Sequence, residues 1–208
     1  NNKKYERRCW DMWKSVEEHQ SPDGWFSEYA GADPGYLTQG IYYAALFYKK
    51  SKSEEVMGSL NKALEFIKYF IHPDGTLGGE YGSRNTEFYF TGGFEILASY
   101  SLIAEAICRR LITSIEDNKI PGVNTVDIYN MIPIMNSIVS GCLYYSPNNA
   151  IEPLPYLIKA DFVKIFRDFK ILVKKVENLY LIIGISKGGV LKVFDLETNK
   201  LIQSYVGV

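Results

Sequence analysis

Imidazole and thiol are scarce in this chain. Two histidines, His19 and His72, and three cysteines, Cys9, Cys108 and Cys142, are spread over 208 residues. The cysteines are odd in number, far apart and never in a Cys-x-x-Cys pair, so neither a disulfide framework nor a zinc site is expected. Cys108 and Cys142 fall in apolar helical patterns, where a thiol packs as a small hydrophobe. With so few soft or imidazole ligands, no metal and no cofactor is expected. Charge of one sign is also missing. The net charge is −1 and the pI about 6.2, without the basic excess that a nucleic-acid-binding face requires. No uninterrupted apolar run reaches membrane-spanning length, so no membrane partner is expected. No signal peptide is visible: the chain opens Asn1-Asn2-Lys3-Lys4, with neither Met nor an apolar stretch behind it, which suggests a trimmed or partial sequence.

Aromatic residues are what the chain has in plenty: 16 Tyr and 11 Phe. Tyrosine combines a flat apolar ring with a polar tip and suits clefts that hold polar ligands, though the same residues also fill cores.

A duplicated Pro-Asp-Gly unit organises the first two thirds. Pro22-Asp23-Gly24 and Pro73-Asp74-Gly75 lie 51 residues apart, and each is followed by a Glu-Tyr pair, Glu28-Tyr29 and Glu80-Tyr81. Pro presets φ, Asp bonds its own backbone and Gly accepts a positive φ, so each is a turn with a mechanism. A helix is expected from Lys3 to about Glu18. A second starts at Pro34 with Asp33 as cap and runs to about Lys50, its stripe being Leu37, Ile41, Ala44, Ala45 and Tyr48. A capping box, Ser51 with Glu54, opens a third running to about Ile71. The short link makes these two an antiparallel hairpin. Further helices are expected over Phe94–Ile112 and Val126–Tyr145, the latter interrupted at Pro133. A period near 50 fits a helix-pair repeat, which buries its core by stacking.

After Ser146-Pro147-Asn148-Asn149 the pattern changes. Pro153 and Pro155 punctuate a linker, and Asp161–Arg167 reads as a helical turn. From Ile171 the period is two, giving a four-strand antiparallel meander: 171–176, 179–185, 189–196 and 200–206. Ser186-Lys187-Gly188-Gly189 is a hairpin bend with a cation at its tip. The last strand leaves an open edge, and a partner or a missing segment is expected to cover it. The expected class is mainly α, multidomain α+β: helical hairpins over residues 1–148 and an antiparallel β module over 149–208.

The densest polar cluster is Glu80-Tyr81-Gly82-Ser83-Arg84-Asn85-Thr86, on a loop that Gly78, Gly79 and Gly82 allow to bend sharply. Arg84 offers a planar fork for a carboxylate and Asn85 a donor beside it; equally, Arg84 and Glu80 could pair to hold the loop while Asn85 caps a helix. The first unit supplies Trp25, Glu28, Tyr29, Tyr36 and Gln39 to the same rim. Trp25 could stack on a sugar, although packing is the commoner role of such a residue. Asp33 reads as a cap. His72, alone before the second turn, is more often structural.

These segments together resemble the heparinase II/III-like proteins. The resemblance rests on Asp23-Gly24-Trp25-Phe26 through Asp33-Pro34-Gly35-Tyr36-Leu37, on Gly79-Glu80-Tyr81-Gly82-Ser83-Arg84-Asn85-Thr86, and on Gly184-Ile185-Ser186-Lys187-Gly188-Gly189-Val190. It implies an α/α toroid joined to a β-sandwich, of which this chain would be the later hairpins and first strands. It further implies polysaccharide-lyase chemistry on a polysaccharide or oligosaccharide. A uronic acid loses its C5 proton and the C4 oxygen leaves; Arg84 and Asn85 would neutralise the carboxylate, and Tyr81, Tyr36 or His72 would move the proton, with Trp25, Glu28, Tyr29 and Glu80 binding substrate. Two other readings stay open: a noncatalytic carbohydrate-binding or scaffold toroid, and another toroid enzyme such as a terpenoid cyclase or a glycoside hydrolase, the last needing two carboxylates from Asp23, Glu28, Asp74 and Glu80. The compartment is not fixed: free cysteines point to a reducing one and the resemblance to export.

Overall fold

The computed structural model describes residues 3–186 and 188–206; Asn1, Asn2, Gly207, Val208 and the Lys187 tip of the expected bend lie outside them. Six helices precede a five-stranded sheet: α1 (Lys3–Glu18), α2 (Pro34–Ser51), α3 (Glu54–Ile67), α4 (Gly92–Leu97), α5 (Leu102–Glu116) and α6 (Ile128–Tyr144), then β1 (Phe162–Phe166), β2 (Ile171–Val176), β3 (Leu179–Gly184), β4 (Val190–Asp195) and β5 (Lys200–Tyr205). All strand pairs are antiparallel and neighbours in sequence are neighbours in space. The molecule is a mixed α+β structure with an open meander.

The helical stripes behave as their periodicity predicts. Leu37, Ile41, Ala44, Ala45 and Tyr48 of α2 and Val56, Leu60, Ala63, Leu64 and Ile67 of α3 are buried, and a single 3-10 turn, Lys68–Phe70, finishes the hairpin. Asp33 caps α2 by accepting the Tyr36 N–H at 3.0 Å, with Pro34 in the first turn.

Five expectations need correction. Helix α6 is not interrupted at Pro133 but runs unbroken through it, and Cys142, expected to pack like buried Cys108, is exposed. The box between Ser51 and Glu54 does not form: α2 continues through Ser51, Lys52 ends it in the left-handed region, and Ser53 precedes α3 without a side-chain cap bond. The single helix expected over 94–112 is two. A turn at residues 98–100 breaks it, and Ser101 caps the second piece by accepting the Ala104 N–H; Ser101 competes locally for backbone donors, which a reading of apolar period does not register. Asp161–Arg167 is not helical. Phe162–Phe166 forms a fifth strand, because its N–H and C=O groups find partners along β2 from Ile171 to Lys175. A five-residue segment carries too little period to distinguish a turn of helix from a strand.

Helices and sheet share one continuous apolar core. Phe166 and Phe169 pack against Phe66 and Phe70 with ring centroids 5.0–5.6 Å apart, and the Tyr180 hydroxyl donates to the Tyr69 carbonyl at 2.8 Å. Asp23 of the first Pro-Asp-Gly turn accepts from the Asp168 and Phe169 amides. The outer face of the sheet is apolar as well: Ile165, Leu172, Ile183 and Leu191 lie in one cross-strand row. Every residue of β5 is exposed, and β5 pairs only with β4 among the described residues.

Candidate functional site

The two duplicated units are joined into one surface around a buried carboxylate. Asp33 is 1% exposed. Its Oδ1 caps α2, and its Oδ2 accepts the N–H of Arg84 at 2.9 Å and of Thr86 at 3.3 Å. Ser83 adds two further links, its N–H to the Ala32 carbonyl at 2.8 Å and its hydroxyl to the Glu28 carbonyl at 2.7 Å. Close approach, between the units at Gly35 and within the second unit at Gly78, requires residues without side chains. A Cβ on Gly35 would lie 2.4 Å from Thr86 Cγ2, and one on Gly78, where φ is +69°, would lie 2.2 Å from the Thr86 carbonyl oxygen.

This clamp carries Arg84 outward. Its guanidinium lies 4.1 Å from the centroid of the Tyr29 ring and 5.7 Å from that of Tyr36, and hydrogen bonding to Tyr29 raises its already high pKa. Tyr29 is exposed and held at a positive φ of 51°, as is Asn85 at 56°. Arg84, Asn85 and Tyr36 line a groove of about 410 Å³ whose far wall is Pro121, Thr125 and Asp127. On the other side of Tyr36 a second hollow, about 370 Å³, is lined by Glu28, Gln39 and Tyr43. A deeper and more apolar cavity of about 710 Å³ shares Glu87, Pro121 and Thr125 with the groove.

Four of the sequence-derived candidates therefore converge on this face, namely Tyr29, Tyr36, Arg84 and Asn85, with Glu28 beside them. Four do not. Tyr81 is 2% exposed and His72 wholly buried. They are bonded to each other, His72 Nε2 to the Tyr81 hydroxyl at 2.7 Å, and His72 Nδ1 meets Thr76 Oγ1 at 2.7 Å. Because Thr76 Oγ1 donates to Asp74 Oδ1, it accepts from Nδ1–H, so Nε2 carries the lone pair that receives the Tyr81 proton. Burial, and secondarily the charge of Lys192, holds His72 well below its usual pKa; burial first holds the Tyr81 phenol well above its own. Both groups are neutral and face inward, against Phe70 and Phe194. Glu80 does not pair with Arg84. It pairs with buried Lys192 of β4 at 2.6 Å. Burial pushes the Glu80 carboxyl upward, but the Lys192 hydrogen bond, a backbone hydrogen bond and the Lys192 charge together leave it below its ordinary value. Trp25 packs 6.5 Å from Phe169, at the junction of helices and sheet.

The sequence reading missed the far wall of the groove. Asp127 and Thr125 stand about forty residues beyond Arg84 and arrive there only because the 117–127 loop folds back. Nothing in their local pattern marks them. Asp127 is engaged as the α6 cap: it accepts from the Tyr129 and Asn130 amides and from Asn130 Nδ2, and the Asn130 side chain leads in lowering its pKa. No group of His, Cys, Asp and Glu among the described residues is arranged to hold a metal ion. No helix among them is long and apolar enough to cross a membrane. The chain matches no family model, no curated protein and no solved structure.

Proposed function

We propose that this face recognises an acidic glycan, with Arg84 taking the carboxylate of a uronic-acid residue and Tyr36 and Tyr29 providing the flat apolar surface against its ring. The observation that carries this reading is the placement of one exposed guanidinium over two tyrosine rings at the mouth of a groove, on a backbone clamped by buried Asp33. A guanidinium fork matches a carboxylate in geometry and charge, and tyrosine offers area at small entropic cost. The resemblance to heparinase II/III-like proteins, with their toroid and sandwich, supports the same substrate class.

β-Elimination is the chemistry we assign to such a surface. Neutralising the carboxylate makes the C5 proton removable, and a phenol or imidazole must then take it. Tyr81 and His72 are enclosed and already bonded to each other, so we give them a structural role and assign the proton transfer to Tyr36. Hydrolysis is disfavoured because it needs an acid–base pair of carboxylates across the cleft, and Asp127 on the far wall is occupied as a helix cap. Binding without turnover is the second reading, favoured by the absence of any imidazole among the groove residues.

Calorimetry with polyuronate oligosaccharides, and with the same oligosaccharides after reduction of their carboxylates, tests the assignment. Arg84→Ala should weaken binding at least tenfold, about 1.4 kcal/mol, and reduced ligands should bind wild type no better than the variant. Equal affinity for native and reduced glycans would refute carboxylate recognition. Following absorbance of the unsaturated product in wild type and Tyr36→Phe then separates turnover from binding alone.

A further inference from the structure

We propose that α6 is a self-association surface through which two copies of this chain pair. Its exposed residues Ile128, Ile132, Met135, Val139 and Cys142 follow one another at steps of four, three, four and three. That is the narrow seam of a two-helix coiled coil, with β-branched Ile132 and Val139 at the alternate positions that favour two strands. The opposite face of the same helix is already used. Ile134, Ser137 and Gly141 are buried, Ser137 Oγ accepts the Gly92 N–H at 2.9 Å, and the Glu95 carboxylate presses against Gly141. From 128 to 144 the helix has no charged residue. A helix apolar on both sides belongs between two layers, and α4 supplies only one.

A second α6 fits that vacancy better than the alternatives on the same molecule. Helix α1 also exposes a stripe at this spacing, Tyr5, Cys9, Met12 and Val16. Its seam, however, is flanked by Glu6 and Arg8, whose charges would be desolvated opposite an uncharged helix and left unpaired. Two α6 helices meet without burying a charge. The area is adequate too. Ile128, Tyr129, Ile132, Met135, Val139 and Leu143 expose 47–87% of their surfaces. Their exposed surface, if fully covered, is on the order of several hundred Å² per protomer and would form the apolar centre of an interface whose standard size is roughly 800 Å² per partner.

The test is the mass of the 208-residue protein by light scattering over a range of concentrations. Wild type should have twice the chain mass, and Val139→Lys and Ile132→Lys should each have the mass of one chain. Both side chains are exposed in the protomer, so the variants should keep the wild-type circular dichroism spectrum. Contact along the seam is read by cross-linking. With Cys9 and Cys142 replaced by Ser, Met135→Cys sits at the midpoint of the seam and meets its own copy whether the helices run parallel or antiparallel. Copper-catalysed oxidation by dioxygen should join the two thiols as a disulfide, with dioxygen reduced. A monomeric wild type at every concentration would overturn the proposal. So would a dimer that survives both lysine substitutions, or one dispersed instead by Ile183→Lys on the outer face of the sheet.

Discussion

Replacing Asp33 with Asn keeps the volume of the side chain and removes its charge and one acceptor. In the native protein Oδ1 takes the Tyr36 N–H while Oδ2 takes those of Arg84 and Thr86. The amide can preserve the cap with its oxygen, but its NH2 then faces two backbone donors. One of them, the Thr86 N–H, is buried, and an unpaired buried donor costs about 1–3 kcal/mol. The Arg84 amide is partly open to water and loses less. The expected loss for Asp33→Asn is about 2–3 kcal/mol. Asp33→Ala also removes the cap, itself worth about 1 kcal/mol, for a total of at most about 3–4 kcal/mol because neighbouring losses do not add fully. At roughly 2–4 °C per kcal/mol for a chain of this size, Asp33→Asn should lower the melting temperature by about 5–10 °C. Urea denaturation followed by far-ultraviolet circular dichroism measures this, and glycan affinity measured below the transition should fall in parallel, since Arg84 is positioned through its own backbone. A stability within about 0.5 kcal/mol of wild type for Asp33→Asn, the range of an ordinary surface change, would refute the claim that this carboxylate joins the two units.

Other expectations follow from the same contacts. The folded-state pKa of His72 lies below its unfolded value of about 6.5, so on acidification the unfolded chain takes up the proton first; its stabilising contribution is full above that pH and is lost as pH falls below it, by at most about 1.4 kcal/mol per pH unit. Glu80, depressed by Lys192, loses its contribution only as pH falls below about 4.5, the unfolded carboxylate range. Unfolding of wild type and His72→Gln compared between pH 6.5 and 4.5 should therefore show a steeper acid loss in wild type; parallel curves would show that His72 is not held neutral. Gly35→Ala places a methyl 2.4 Å from Thr86 Cγ2 and should cost about 1–3 kcal/mol by overpacking, against the gain that Gly→Ala normally brings inside a helix; a stabilised variant in thermal melts would show that the loops are not in tight contact.

Residues that act on near neighbours were legible in the sequence. The Pro-Asp-Gly turns, the Asp33 cap and the buried stripes of α2 and α3 all depend on groups within about four positions of each other, where backbone geometry decides the partner. Strands β2 to β5 could be read from alternation for the same reason. Only tertiary structure decided what lies across a gap of tens of residues. Arg84 and Glu80 sit four apart on one loop, and nothing local states that Glu80 turns inward to Lys192 while Arg84 turns outward to Tyr29. The same loop sends Tyr81 into the core beside His72. Its backbone is held by Asp33, whose second oxygen is filled from 51 and 53 residues away. One-dimensional pattern locates a polar cluster. Which of its members faces solvent depends on where the buried carboxylate, the lysine of β4 and the apolar core can be satisfied at once, and those groups meet only in the folded chain.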